Sequence, residues 1–147
     1  MIKEYELVPH TADLKIYAYG VSFEELFRNA LKGMFSSIKP HSKFITYQED
    51  TPHIKSFTVT RSLVCRSSDQ ETLLIDFLSD CLYLADVHEE AYFDAKFSSL
   101  SDTEVEATLY GVPIDGYEVV EIKAVTYHDL QLEHIEGIWR ATIVFDV

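Results

Sequence analysis

Apolar residues recur at every second position near the end of the chain, at Trp139, Ala141, Ile143 and Phe145. That is the spacing of a strand with one buried face. Glu136-Gly137 precedes the run and reads as a turn. The same alternation marks residues 14–19 and stops at Gly20. Ala91, Phe93, Ala95 and Phe97 alternate with Tyr92, Asp94 and Lys96, and Val105, Ala107 and Leu109 alternate with Glu104, Glu106 and Thr108. The polar stretch Ser98–Asp102 between these two runs predicts a hairpin. Residues 118–127 read as another extended run, with Leu130 and Leu132 opening a further short strand. Residues 55–66 read as a strand with Phe57, Val59, Leu63 and Cys65 on one face, which Arg61 interrupts.

Two segments change period. Phe23, Leu26, Phe27, Ala30, Leu31, Met34 and Phe35 follow helical spacing, with Ser22 as N-cap and Glu25 completing a capping box. Val21 and Leu26 are placed to staple the helix start, and Pro40 ends it. A second helix is predicted from Ser68, with Glu71 as its capping partner and a stripe of Leu74, Phe77, Leu78, Cys81, Leu82 and Ala85. Residues 39–53, with Pro40 and Pro52, read as a loop holding a short strand at Phe44–Tyr47. The predicted fold is α+β: a mainly antiparallel sheet carrying two helices, in one domain spanning residues 1–147.

Composition narrows the function. At 147 residues with 47% hydrophobic content the chain can bury a core without a disulfide or zinc staple. Cys65 and Cys81 form no C-x-x-C pair, so reduced thiols in a cytoplasmic protein are expected. Neither a signal peptide nor an apolar run of membrane-spanning length is visible. Twelve Lys and Arg against twenty-five Asp and Glu give a net charge of −13. Without a basic stripe, a direct grip on nucleic-acid phosphates is not expected. The acidity suits divalent cations, a basic partner protein, or plain solubility.

The candidate chemistry is sparse. No nucleotide-binding glycine loop, H-E-x-x-H or nucleophile elbow is present. His10-Thr11-Ala12-Asp13 precedes the first alternating run; alone, such residues serve equally as turn and cap groups. Asp146 falls opposite the Trp139–Phe145 face, and Val147 adds an α-carboxylate. If Asp13 lies near them, the oxygens need a cation; otherwise they form a solvated acidic strand end. Lys123 sits opposite Ile122 and Ala124, as an edge-protecting charge or a phosphate- or carboxylate-holding one. Asp76 and Asp80 share a helix face and read as solvated.

Taken together, His10–Asp13, Gly20, Ser22–Phe27, Asn29–Phe35, Leu73–Leu84, Glu121–His128 and Val144–Val147 resemble the archease family, in order and over nearly the whole chain. Residues 39–68 depart from it, and Gly111–Gly116 resembles a shortened loop without the usual basic and His residues. The resemblance implies a non-enzymatic helper that stimulates guanylylation and repeated turnover of the GTP-dependent RNA ligase joining tRNA halves. It implies Asp13, Asp146 and Val147 as ligands of a divalent metal (Ca, Mg or Mn) and Lys123 as an activating residue. GTP would enter only through the partner ligase. An autonomous metal-dependent phosphoesterase and a chaperone-like interaction module stand as alternatives.

Overall fold

Ser22 begins the first helix as its spacing predicts. Its hydroxyl accepts the Glu25 N–H at 3.1 Å, and the helix α1 runs Phe23–Ser37. Glu24 and Glu25 lie in the first turn, where the helix dipole favours anions. The Glu25 carboxylate reaches back to the Val21 N–H at 3.4 Å, but Val21 itself stays 60% exposed, so the expected staple does not close. Of the predicted stripe, Leu26 to Phe35 are fully buried and Phe23 partly so. In this computed structural model, which describes residues 3–8 and 13–147, the chain passes Ile38 as C-cap and turns at Lys39, which takes a positive φ of 51° before Pro40.

The second helix, α2, runs Gln70–His88 and starts one residue later than predicted. Asp69, not Ser68, is the cap, and its carboxylate accepts the Thr72 N–H at 2.8 Å. A charged acceptor makes the stronger bond to an unpaired helix N–H. Leu73 and Ile75 are buried in addition to the predicted stripe. The wider apolar surface follows from position: α2 packs on strands of two different sheets.

Those strands are β1 (Tyr5–Val8), β2 (Leu14–Gly20), β3 (Ile45–Gln48), β4 (Thr51–Ile54), β5 (Val59–Arg66), β6 (Glu90–Leu100), β7 (Glu104–Pro113), β8 (Ala124–Ile135) and β9 (Ile138–Asp146). Among the described residues they form a four-stranded sheet ordered β1-β2-β9-β8, a three-stranded sheet ordered β5-β7-β6, and the β3-β4 hairpin. Every strand pairing is antiparallel. Helix α1 touches β2 of the larger sheet and β6 of the smaller; α2 touches β8 and β5 in the same way. One buried cluster of aliphatic and aromatic side chains therefore joins both sheets to both helices. The α+β reading holds.

Several local readings need correction. Residues 39–53 are not mainly loop, because β3 and β4 pair around Glu49-Asp50, both in the left-handed region at φ 51° and 69°. Residues 118–123 lie outside any strand; Leu130 and Leu132 belong to β8, whose pairing with β9 breaks between Thr126 and Gln131. Gly111–Pro113 is the end of β7 rather than a loop. Strict alternation fails in β6: a register shift between Tyr92 and Asp94 leaves both Tyr92 and Phe93 buried. Arg61 continues the inward face of β5 and donates to both carboxylate oxygens of Glu90, at 2.9 and 2.8 Å.

Candidate functional site

The register of the four-stranded sheet decides where the expected site residues meet. Leu14 on β2 pairs with Phe145 on β9. Asp13 directly precedes Leu14 and Asp146 directly follows Phe145, so both acids adjoin the same end of this pairing. On the opposite side of β9, Ala124 pairs with Asp146, and the Lys123 N–H donates to the Asp146 carbonyl at 2.7 Å. The first acid of the set and the last residues of the chain thus share one end of one sheet. His10, Thr11 and Ala12 lie outside the described residues.

Side-chain direction separates the set. Phe145, Ile143 and Ala141 are buried toward the helices. Alternation sends Asp146 to the other face, and it is exposed, as is Val147 at 37%. Asp13 is partly buried and has the parity of Lys15, on the same outer side as Asp146. Lys123 is exposed and lines a small groove with Ser79, Leu82, Tyr83 and Asp86 of α2. Its expected opposition to Ile122 and Ala124 is only half met, since Ile122 is buried and Ala124 exposed; residues 121–123 are not strand, so alternation does not run through them. Among the described residues Lys123 makes no side-chain hydrogen bond or ion pair. Its ammonium is available to an outside group.

The donors gathered at Asp13, Asp146 and Val147 are all oxygen. No group of three His, Cys, Asp or Glu side chains among the described residues is arranged to hold a metal. A site here would therefore consist of two carboxylates and a main-chain oxygen at Val147. Such a set fits a hard divalent cation and not zinc, because thiolate and imidazole are missing from it. Cys65 and Cys81 are buried elsewhere, and burial pushes the Cys65 thiol up to about 11.

Asp76 and Asp80 do not form the solvated face expected of them. Both are partly buried. Asp76 accepts from the Ser67 hydroxyl at 2.5 Å and from the Tyr127 phenol at 3.1 Å, tying α2 to β8. Burial raises the pKa of Asp80. Their partners lie on other elements, so helical spacing alone could not reveal them. A second acidic concentration also escaped the sequence: Asp86, Glu89, Asp115 and Glu121 line a cavity of about 550 Å³ with Tyr117. Burial, then the neighbouring Glu121 charge, raises the pKa of Asp86 from its ordinary value. Among the described residues, no helix is long and apolar enough to cross a membrane.

Comparison with known proteins gives one consistent result. Residues 5–147 match the model of the Archease protein family (MTH1598/TM1083). The chain is 36% identical to the protein archease of Methanosarcina mazei over 152 residues, which covers 99% of this chain and 97% of that protein. It is 32% identical to that of Thermoplasma acidophilum over 145 residues, covering 97% and 93%. The solution structure of Methanobacterium thermoautotrophicum protein 1598 superposes with a TM-score of 0.75 at 25% identity, over 99% of this chain and all (100%) of that one. The crystal structure of an archease and possible chaperone from Thermotoga maritima shares the fold, with a TM-score of 0.63 at 24% identity over 95% and 94% of the two chains.

Proposed function

The chain belongs to the archease family, and from that premise we propose that it is a cytoplasmic, metal-binding accessory protein that activates a GTP-dependent RNA-splicing ligase and is not itself an enzyme. The observation that supports this reading is the pairing of β2, β9 and β8, in which Leu14, next to Asp13, pairs with Phe145, next to Asp146, and the Lys123 N–H donates to the Asp146 carbonyl. Two carboxylates held side by side repel each other unless a cation or a cationic partner sits between them.

Asp13, just before β2, and Asp146, at the end of β9, would hold the cation, with Val147 adding a main-chain oxygen. When bound, a divalent ion supplies neutralisation of negative charge on the partner's nucleotide. Asp146 is exposed, so that a partner can reach it. Lys123, exposed in the groove beside α2, pairs with a carboxylate or phosphate of the partner and not with the chain's own acids.

The test is ligase guanylylation with and without this protein. Asp146→Ala should abolish the stimulation while leaving the thermal melt within a degree or two of the unaltered chain, since Asp146 is exposed. Full stimulation by Asp146→Ala contradicts the reading. A chaperone-like role without metal is the second reading, favoured by the name of the Thermotoga maritima relative. Equal partner binding in chelator and in added metal would support it.

A further inference from the structure

Tyr5 and Leu7 on β1 face the same side of the sheet as Ala18 and Ile16, their partners on β2. Ala18 and Ile16 are fully buried, yet Leu7 is 54% exposed. The reason is that α1 ends at Ser37 and the loop after it leaves this corner of the sheet uncovered. A cleft of about 490 Å³ opens there. Its floor is apolar: Leu7, Leu14, Ile16 and Val119, the last 57% exposed. Gly33 forms part of the wall on α1, where an added Cβ would stand 3.0 Å from both Tyr5 and Ile16.

The rim of the cleft has the opposite character. It carries Glu49, Asp50, Glu118 and Lys39. Lys39 is already committed, with Nζ 3.2 Å from Asp50 and 3.3 Å from Glu118, and the Glu118 N–H donates to the Lys39 carbonyl at 3.0 Å. One lysine thereby stitches the loop after α1, the β3-β4 turn and the 118–119 segment into a fixed frame. Three carboxylates against one ammonium leave the rim at −2. The floor ends at Leu14, the residue next to Asp13.

We propose that this cleft seats an aliphatic side chain from a Lys- or Arg-bearing segment of the partner protein. The proposal rests on the accessory role above and adds the surface through which that role is exercised. Size and lining suit one aliphatic group and its neighbours. The acidic rim favours basic flanks, speeds their encounter, and repels an acidic segment. Leu14 at the end of the floor adjoins Asp13 in the chain, so a segment anchored here reaches the edge of the sheet whose outer face carries the candidate metal donors.

Binding of the purified ligase to the chain, followed by isothermal titration at 50 and 300 mM NaCl, tests it. Leu7→Ser and Val119→Ser should each weaken binding about tenfold, as a truncated interface anchor does. Both side chains are more than half exposed, so the variants should fold, with melting curves as the control. Glu49→Lys should weaken binding at low salt and flatten its salt dependence. Ligase affinity unchanged in all three variants overturns the cleft alone and leaves the accessory role standing. A serine variant that instead turns a self-associated chain into a monomer overturns it too, in favour of a second copy as occupant. Absence of any ligase binding by the unaltered chain overturns both this inference and the functional reading.

Discussion

Arg61 illustrates what a single residue can hide. In sequence it breaks the apolar face of its strand. In the fold it keeps that face and meets Glu90, twenty-nine positions away, in a two-bond pair that Tyr92 completes with a 2.8 Å hydrogen bond. Glu90 is 4% exposed and Tyr92 fully buried, so the carboxylate is satisfied by protein groups alone. Pairing with Arg61 holds Glu90 below its ordinary value of 4.5, against the opposing effect of burial and with help from Tyr92. A carboxylate depressed in the fold contributes stability that is complete above its unfolded pKa and fades as pH falls through the folded one. Glu90→Gln should therefore lower the melting temperature at neutral pH and flatten its decline below about pH 4.5. Parallel melting-versus-pH curves for the two proteins would contradict this. Asp76 teaches the same lesson, because Ser67 and Tyr127 are brought to it by folding and by nothing local.

Elements were legible where one physical signal dominated. Period-two runs located β2, β5, β7 and β9, and the Ser22 cap located α1 to the residue. The misses share a cause: chain geometry not written in apolar spacing. The Glu49-Asp50 turn needs two positive φ values but lacks the Asn-Gly signature, so β3 read as an isolated short strand and β4 as loop. The short edge strand β1 gives four residues and no clear alternation. The long strand β8 was split in two because Asp129, at φ 54°, interrupts its pairing. Gly111 lies in the central strand β7, opposite Val59 on one side and Tyr92 on the other. A Cβ there would fall 2.0 Å from the Ala91 carbonyl oxygen and 2.8 Å from the Tyr92 ring. Backbone cannot yield as a flexible side chain can. Gly111→Ala should cost about 3 kcal/mol, read as a lower urea midpoint at constant slope. An unchanged midpoint would show that the β6 bulge gives way freely.

At the scale of the molecule, the candidate site is a product of strand order. Alternation alone put Asp146 on the face away from the core, and it is exposed there. Nothing local could state that β9 runs between β2 and β8, which is what sets Asp13 and Lys123 on its two flanks. The resemblance supplied that grouping, and the register brings the neighbours Leu14 and Phe145 together. Lys123 also lines a groove with Ser79, Leu82, Tyr83 and Asp86 of α2, which neither acid lines. The net charge of −13 concentrates locally as well, around Asp86, Glu89, Asp115 and Glu121 and along the rim beside Leu7 and Val119. Both concentrations favour a basic partner over nucleic acid. The account depends most on Asp13 and Asp146 acting as one cation site. Calorimetric titration of the purified chain with Ca²⁺ and with Mn²⁺ tests this directly, beside Asp13→Asn and Asp146→Asn. The account predicts one saturable site per chain, lost in either variant while the fold persists. Metal binding that survives both substitutions, or that never occurs in the unaltered chain, would contradict it.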